Sequence, residues 1–432
     1  QGQISYAVAA GLAQAIEYIN NLHFDEEDIE YLREAAGFDD KFLRSLRGFH
    51  FTGDIFAVPE GTIVFPDEPI LIVRAPLSQA QLIEPAILNI INHQTLIATK
   101  ASRVVKSAGN AGVSEFGLRR AQGPDAGIYG ARASIIGGCC GTSNVLAGQM
   151  FDVPIKGTMA HSWIMSFGSE LEAFRKFAEI YPDNTLLLVD TYDTLRSGVP
   201  NAIKVFDELK SRGKKPVGIR LDSGDLAYLS KKARKMLDEA GHKDAIIFAS
   251  CDLDEYVISS LNEQGAKIDA YGVGTRLITS ESMPSLGGVY KLAELTENGV
   301  RVPKIKISDT HDKITNPGFK TLYRVYEADG KAFADLIALD DEKFDTSSPL
   351  TLTHPTMRWK STTLEKYTMR KLLVPVYEKG RQVYFPPELK ASAAYAKEEK
   401  SSFWDEYMRN VNPEIYKGDL SDGLYELKAR LI

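Results

Sequence analysis

The sequence predicts an α/β protein built on repeated strand–loop–helix units. Short strand candidates recur from about residue 113 to about residue 274, and helical stretches follow most of them. Their spacing of about 20 to 35 residues fits βαβ units with right-handed crossovers. Seven such units favour a barrel over an open sheet, although the periodicity alone fits both architectures.

The strand candidates are short apolar runs that end in polar or small residues. In chain order they read SEFGLRR, SIIGGCC, VPIKGTM, NTLLLVD, PVGIRLD, AIIFASC and DAYGVG. Amphipathic stretches such as LEAFRKFAEIY, VPNAIKVFDELKSRG and LAYLSKKARKMLDEAG lie between them and have the apolar spacing of helices. Strands and helices in this alternation are the expected content of an α/β domain.

The segments that flank this repeat have other patterns. A helix is predicted over residues 7–22, β-rich runs split by Gly and Pro follow at 51–75, and a long apolar helix covers about 78–106. Beyond about residue 290 the runs VPKIKISD and FKTLYRVYEA are again β-rich, and the Lys/Glu-rich tail reads as mostly helical. We therefore predict four segments: an α+β domain (1–105), the α/β domain (106–298), a β-rich return segment packing on the first domain (299–360) and a helical C-terminal region (361–432).

Composition and charge exclude several classes of protein. The 432 residues include 51 Lys and Arg against 58 Asp and Glu, which gives a formal net charge of -7. This balance argues against general binding to nucleic acid or to an anionic membrane, because both need a basic surface. No apolar run approaches the roughly 20 residues that span a bilayer.

The cysteines point to a reducing compartment. Cys139, Cys140 and Cys251 form no paired spacing, so neither a disulfide framework nor a zinc-ligand array is predicted. We expect a cytoplasmic protein and assign no metal ligands within the chain.

Polar, glycine and aromatic residues cluster just after the strand candidates. In α/β folds this carboxyl edge of the sheet is where ligands bind. The candidates are Phe116, Arg119, Thr142, Ser143, His161, Asp190, Arg220, Asp222, Asp252, Gly272, Gly274 and Thr275.

Each candidate also has an ordinary structural explanation. A single His in a loop is usually a surface residue, and an Asp or Ser after a strand often caps the next helix. Ser143 fits such a cap before NVLAG, Phe116 fits a core position, and GVGTRL lacks the third glycine of the dinucleotide motif. Their coincidence at one edge of a repeated βα pattern is what favours a functional site.

The residue types at this edge suit the assembly of a nucleotide. A Gly-rich turn before a helix presents backbone N–H groups to a phosphate. Arg119 and Arg220 can chelate a carboxylate or a phosphate. Asp222 and Asp252 can accept hydrogen bonds from sugar hydroxyls, directly or through a metal, and Phe116 can stack on a flat ring.

Seven motifs in a fixed order carry a resemblance to a known family. EFGLRRAQ, GTSN, GTMAHSW, LVDTYDT, RLDSGDL, GVGTRL and GGVYKL resemble, in this order, the motifs of nicotinate phosphoribosyltransferases. The resemblance runs from about residue 6 into the C-terminal region, where it is least distinctive. It implies the type II phosphoribosyltransferase fold, an irregular seven-unit α/β barrel beside an α+β domain, in a homodimer with active sites near the subunit interface.

The resemblance also implies the reaction. Nicotinate and phosphoribosyl pyrophosphate would give nicotinate mononucleotide and pyrophosphate in NAD biosynthesis, coupled to hydrolysis of ATP, with Mg²⁺ expected as its companion ion. Phe116 would stack on the pyridine ring, while Ser143 and Arg220 would hold its carboxylate. His161 would be the residue that ATP phosphorylates, and Asp190 would orient it.

Further positions follow from the same resemblance. Asp222, Ser250 and Asp252 match positions that face the ribose. The loop for the 5-phosphate corresponds to Gly272, Gly274 and Thr275, and the phosphate-rich mouth of the site to Lys291. The family also has an N-terminal tyrosine that reaches the partner's site, for which we assign no residue here.

Three rival functions remain to be weighed. Nicotinamide phosphoribosyltransferase shares the scaffold, but an acidic residue stands there beside the ring substituent, where this chain has the neutral Ser143. A catalytically silent nucleotide-binding protein would not need His161, Asp190, Arg220 and Asp222 together. A barrel lyase would need a Schiff-base lysine after a strand, and only Lys156 is near one.

Overall fold

The chain divides into two units, of which the second is one continuous stretch that interrupts the first in sequence. A computed structural model describes residues 5–308, 314–357 and 359–432. The first unit combines the residues up to Thr95 with those from Leu286 onward, and the second runs from Leu96 to Ser285. The boundaries of the four segments predicted from the sequence stay predictions. Parts of two of these segments, residues 1–4, 309–313 (with the end of VPKIKISD) and 358, lie outside the described residues.

The N-terminal part of the first unit mixes helices with short strands. Its elements are β1 (Ala7–Val8), α1 (Leu12–Asn21), α2 (Glu26–Ala36), α3 (Asp40–Leu46), β2 (Asp54–Ala57), β3 (Ile63–Val64), β4 (Leu71–Arg74) and α4 (Leu77–Ala108). β1 pairs with β3 and β2 pairs with β4, both antiparallel. Helix α1 begins later than the predicted residue 7, because β1 pairing and the positive φ of Gly11 (101°) precede it.

The second unit contains the predicted βα repeat. Its strands are β5 (Gly112–Glu115), β6 (Gly141–Thr142), β7 (Leu186–Leu188), β8 (Gly218–Leu221), β9 (Ile246–Ser250) and β10 (Ala270–Val273). They form one parallel sheet in the order β6-β5-β10-β9-β8-β7. The helices are α5 (Pro124–Gly137), α6 (Val145–Phe151), α7 (His161–Met165), α8 (Glu170–Ile180), α9 (Val199–Ser211), α10 (Leu226–Glu239), α11 (Glu255–Glu263) and α12 (Thr275–Ile278), with a 3₁₀ turn at Leu118–Arg120 and a π-helical turn at Thr194–Gly198.

This sheet confirms the parallel α/β core but not the seven-unit barrel. Its strands number six in the described residues, with β6 and β7 at the edges. The candidate VPIKGTM contributes only a single bridge, between Ile155 and Thr142. The candidate SIIGGCC was wrong as a strand, because its first four residues end helix α5. A short buried apolar run does not distinguish a strand from a buried helix, and α5 is such a helix.

Helices cover the sheet, and its strands are buried. Ile219, Leu221, Ile247 and Ala249 are each fully inaccessible, as expected for a parallel sheet with both faces covered. Helix α5 approaches the second half of α4 so closely that a Cβ on Gly137 would lie 2.5 Å from the Cβ of Ala101. Glycine is therefore required at this helix crossing.

The chain then returns to the first unit and is rich in strands. The elements are β11 (Glu294–Glu297), β12 (Val300–Pro303), β13 (Lys320–Glu327), β14 (Ala332–Leu339), β15 (Leu350–Thr353), β16 (Ser361–Leu364), β17 (Tyr367–Lys371), β18 (Val374–Glu378), β19 (Arg381–Gln382), α13 (Leu389–Ser401), α14 (Asp405–Met408), β20 (Lys417–Leu420) and α15 (Asp422–Leu431). Two four-stranded sheets result, in the orders β17-β13-β14-β20 and β19-β18-β2-β4. None of the described helices combines the length and apolarity that crossing a membrane requires.

The prediction of a mostly helical region over 361–432 was therefore wrong in its first third. Strands β16 to β19 occupy most of that third, and β20 lies further on, between helices α14 and α15. Strand β17 pairs with β13, and β18 pairs with β2, which lies more than three hundred residues earlier. Partners this distant decide strand formation through packing, which local propensity does not report.

Candidate active site

The candidate residues of the second unit meet at the carboxyl edge of its parallel sheet. His161 is the first residue of α7, Asp190 follows β7, Asp222 follows β8 and Ser250 ends β9. Since parallel strands end at the same edge, side chains that are far apart in sequence become neighbours there.

His161 and Asp190 form a pair whose carboxylate is fixed from several sides. The Nε2 atom of His161 lies 3.1 Å from Oδ1 of Asp190. Oδ2 of Asp190 accepts hydrogen bonds from the Asp222 backbone N–H at 2.8 Å and from the Ser223 hydroxyl at 2.6 Å. The Asp190 side chain is 1% exposed and that of His161 is 38% exposed, so a buried carboxylate orients an accessible imidazole.

Arg220 is clamped by three oxygen atoms. Its Nε donates to Ser250 Oγ at 2.8 Å, one terminal nitrogen donates to Thr158 Oγ1 at 2.9 Å, and the other donates to Asp222 Oδ1 at 2.9 Å. The Ser250 hydroxyl also donates to the same carboxylate oxygen of Asp222. These contacts use three of the five guanidinium N–H groups, so two are left for a ligand.

Phe116 lies beside this arginine. The guanidinium carbon is 5.5 Å from the centre of the Phe116 ring. The ring is half-buried and stacks on Phe248 at 5.6 Å between centroids and 27° between planes. A Cβ on Gly272 would lie 2.6 Å from Phe116 and 2.9 Å from Phe248, so glycine makes room for both rings over strand β10.

The GTSN turn is bound to the end of β5 through Glu115. Thr142 is fully buried, and its hydroxyl donates to Glu115 Oε2 at 2.6 Å. The Ser143 backbone N–H donates to the Glu115 carbonyl at 2.9 Å. Burial raises the pKa of the Glu115 carboxyl, and hydrogen bonds from Thr142 and the Gly117 backbone N–H counteract this. The Thr142 side chain thus faces the sheet rather than solvent, and its contact with a substrate stays a prediction.

Ser143 is not the N-cap of helix α6, which was the ordinary structural explanation for this residue. Asn144 is the N-cap of α6, and its side-chain oxygen accepts a hydrogen bond from the Ala147 N–H at 3.1 Å. Ser143 is half-buried beside the cap.

The remaining candidates lie at less confined positions. Arg119 is exposed on the 3₁₀ turn, Asp252 is exposed after β9, and Thr275 starts the short helix α12 behind Gly274. A Cβ on Gly274 would lie 3.1 Å from the Phe116 carbonyl oxygen. Lys291 is exposed in the first unit, and its role at the site stays a prediction.

Sequence reasoning missed several residues that build this site. Thr158 and Ser223 hold Arg220 and Asp190, Phe248 supports Phe116, and Glu115 joins two turns. Thr158, Ser223 and Glu115 stand inside or beside recognised motifs, which was the signal available. Phe248 lies in the middle of a strand that reads only as core.

A metal ion at this site would need ligands from the substrates in addition to protein side chains. Within the described ranges, no group of three or more His, Cys, Asp or Glu side chains could hold a metal ion. Mg²⁺ commonly binds through one or two carboxylates together with substrate phosphates, and exposed Asp252 and partly exposed Asp222 fit that role.

Comparison with known proteins identifies the family. The model of the nicotinate phosphoribosyltransferase (NAPRTase) family matches residues 112–330, and the models of its N-terminal and C-terminal domains match residues 1–92 and 319–428. The chain is 48% identical over 428 residues to a nicotinate phosphoribosyltransferase of Bacillus subtilis (strain 168), covering 99% of this chain and 87% of that protein.

More distant relatives agree. A nicotinate phosphoribosyltransferase of Dictyostelium discoideum is 36% identical over 477 residues, with 98% of this chain and 80% of that protein covered. The crystal structure of human nicotinic acid phosphoribosyltransferase superposes with a TM-score of 0.87 at 29% identity, covering 99% of this chain and 93% of that one. This chain belongs to the nicotinate phosphoribosyltransferase family.

Proposed function

We propose that the protein transfers the phosphoribosyl group of phosphoribosyl pyrophosphate to nicotinate, releasing pyrophosphate and forming nicotinate mononucleotide for NAD biosynthesis. The observation that carries the proposal is Arg220 beside Phe116 at the ligand-binding edge of the sheet. An aromatic face next to an oriented guanidinium suits a flat ring that bears a carboxylate. Family membership supports the same substrate.

The ring would be held by stacking and by charge. A pyridine lying on Phe116 directs its carboxylate toward the guanidinium of Arg220, 5.5 Å from the ring centre. Ser143 would add a hydroxyl donor to the same carboxylate. The pyridine nitrogen is already nucleophilic, so the site needs to orient it rather than to remove a proton from it.

The sugar would react beside the carboxylates. When the bond from C1 to pyrophosphate lengthens, positive charge develops at C1 and the ring oxygen, and a nearby carboxylate stabilises it. We assign this role to Asp222, whose carboxylate accepts hydrogen bonds from Arg220 and Ser250. We assign Asp252 to the ribose hydroxyls, and Gly272, Gly274, Thr275 and Lys291 to the phosphates.

We further propose that ATP phosphorylates His161. Because Nε2 faces the Asp190 carboxylate, we assign the proton to Nε2, which leaves the lone pair on Nδ1. Nδ1 attacks the γ-phosphorus of ATP, the bond to the ADP oxygen breaks and ADP departs; water later cleaves the phosphohistidine. Mg²⁺ carried by the phosphates would neutralise their charge during both transfers.

We also propose a cytoplasmic homodimer. The second unit exposes apolar side chains on helix α6, with Val145 63%, Leu146 50% and Met150 49% exposed, as expected for a surface that a second copy covers. Light scattering after gel filtration measures the oligomeric state directly, and a monomer at micromolar concentration would contradict the homodimer.

One assay tests the proposed activity. The protein is incubated with phosphoribosyl pyrophosphate and either nicotinate or nicotinamide, with and without MgATP, and the nucleotides are separated. We expect nicotinate mononucleotide, formed faster with ATP, and far less product from nicotinamide. Failure to consume nicotinate under all conditions would refute the proposal.

A His161→Asn variant tests the ATP step in the same assay. The asparagine retains a hydrogen-bonding side chain but has no nitrogen that can be phosphorylated. We expect slow formation of product that ATP does not accelerate, and no acid-labile phosphate on the protein. An unchanged stimulation by ATP would rule out His161 as the acceptor.

A further inference from the structure

Glu115 is a wholly buried carboxylate whose two oxygens bind two different turns. Oε2 accepts the Thr142 hydroxyl at 2.6 Å in the turn after β6, and Oε1 accepts the backbone N–H of Gly117 in the turn after its own strand β5. Its side chain is 0% exposed, so water does not replace either partner. The carboxylate therefore acts as a bridge between neighbouring turns.

The two turns carry the residues assigned to two parts of nicotinate, Phe116 to the ring and Ser143 to the carboxylate. Phe116 stands between Glu115 and Gly117, and its backbone N–H donates to the Val273 carbonyl at 2.8 Å. Ser143 follows Thr142, and its N–H donates to the Glu115 carbonyl at 2.9 Å. Phe116 and Ser143 are thus each adjacent in sequence to a residue, Gly117 or Thr142, that donates to the Glu115 carboxylate.

The hydrogen bonds form a directed chain. The Asn144 N–H donates to the Thr142 hydroxyl at 3.0 Å, and that hydroxyl in turn donates to Glu115. Both partners of the carboxylate are hydrogen-bond donors. A glutamine in its place would direct its NH₂ group at one of these donors, and that hydrogen bond would be lost. Position 117 is also restricted to glycine, since a Cβ there would lie 2.9 Å from Glu115 Oε1.

We propose that Glu115 is a positioning residue that sets the separation of Phe116 and Ser143 and thereby the fit of nicotinate. The inference rests on the proposed function. It places Glu115 outside the reaction itself, acting through the two turns. Loss of the bridge is expected to weaken nicotinate binding while phosphoribosyl pyrophosphate, assigned to other loops, binds almost as before.

The test compares Glu115→Gln with a matched variant, Glu170→Gln. Glu170 is also buried in the second unit (4% exposed) and also accepts from neutral groups, the Ser197 hydroxyl at 2.6 Å and the Asn201 amide at 3.1 Å. We expect Glu115→Gln to raise the KM for nicotinate about tenfold and to change the KM for phosphoribosyl pyrophosphate by less than about twofold. Glu170→Gln should leave the ratio of the two KM values unchanged.

A second variant distinguishes loss of the hydrogen bond from misfolding of Glu115→Gln. Thr142→Val keeps the shape of the side chain but removes the same hydrogen bond from the other side, and it should raise the nicotinate KM in the same way. Wild-type KM values in Thr142→Val, or equal changes in both KM values in Glu115→Gln, would overturn the positioning role. A wild-type protein that makes no nucleotide would instead refute the proposed function.

Discussion

Two arginines, one in each unit, are each held by several hydrogen bonds, but in opposite surroundings. Arg324 of the first unit donates to both oxygens of Asp335, at 2.9 and 2.6 Å, and to Glu399 at 3.0 Å. Arg220 of the second unit donates to Asp222, Ser250 and Thr158. Each also lies near an aromatic ring, Arg324 at 4.7 Å from the centre of Phe403.

Exposure separates the two clusters. The side chains of Arg324 and Asp335 are 0% exposed, whereas those of Arg220 and Asp222 are 15% and 28% exposed. Arg324 donates four hydrogen bonds within the protein, the fourth to the Ile63 carbonyl at 2.6 Å. Arg220 retains donors and an opening to solvent. A clamped arginine indicates a binding site only where the cluster opens to solvent.

The largest expected effect is on stability, in the buried cluster. Arg324→Met should lower the free energy of unfolding by about 3–5 kcal/mol, because it leaves Asp335 buried without its cation, while Glu399 keeps its ion pair with Arg370. Urea unfolding measures the change. Arg220→Met is the counterpart and should cost much less stability while abolishing nucleotide formation. Equal losses of stability would erase the distinction between the clusters.

The next effect is on catalysis, in the open cluster. Asp222→Asn keeps the shape of the side chain but removes the negative charge that we propose stabilises the positive charge developing on the sugar. We expect kcat to fall by about 10²–10³-fold, in the range found when one stabilising group is removed. Thermal unfolding should change little. Near-normal kcat in this variant would show that the charge of Asp222 is not used in the transfer.

Ser143→Asp tests how the open cluster selects its ligand. A carboxylate against the substrate's carboxylate should lower kcat/KM for nicotinate about a hundredfold and raise the nicotinamide-to-nicotinate ratio. Ser143→Asn, similar in size but neutral, should shift the ratio much less. Competition kinetics with both pyridines measure it. An unchanged ratio in a stable Ser143→Asp protein would mean that the carboxylate lies elsewhere.

The smallest effect concerns a buried cation bound by carbonyl groups instead of carboxylates. Lys320 donates to the carbonyls of Asn316 and Gly318 at 2.7 and 2.6 Å. Burial lowers its pKa from 10.5 to about 8, with Glu294 opposing the change. Between these values the unfolded chain binds more protons than the folded one, so this group adds stability as pH rises from about 8 to about 10.5.

The measurement is a difference between two proteins. Lys320→Met lacks this titration, so the free energy of unfolding of the wild type should rise by about 2 kcal/mol relative to that of the variant between pH 7.5 and pH 9.5. Urea unfolding gives the free energy of unfolding of both proteins at each pH. Subtracting one from the other cancels the contribution of the groups that the two proteins share. A constant difference would mean that Lys320 keeps an ordinary pKa in the folded protein.

Sequence reasoning succeeded where the signal was local. Helices α8, α9 and α10 coincide with amphipathic stretches. His161, Asp190, Arg220 and Asp222 were selected at the ends of predicted strands and are neighbours in the structure, while their roles in the reaction stay predictions. Parallel strands end at one edge, so this rule brings residues together without knowledge of their contacts. The rule could not identify Thr158 and Phe248, which support the site only by contacting residues remote in sequence.

The sequence by itself determined the α/β repeat, the family motifs and the residue types at the sheet edge, because periodicity and residue chemistry are local properties. Only the tertiary structure decided that SIIGGCC begins in a helix, that β17 and β18 are strands, and that Glu115 bridges two turns. The tertiary structure also decided which arginine cluster is closed and which is open. Burial and pairing depend on groups brought together across hundreds of residues, and no window of sequence contains them.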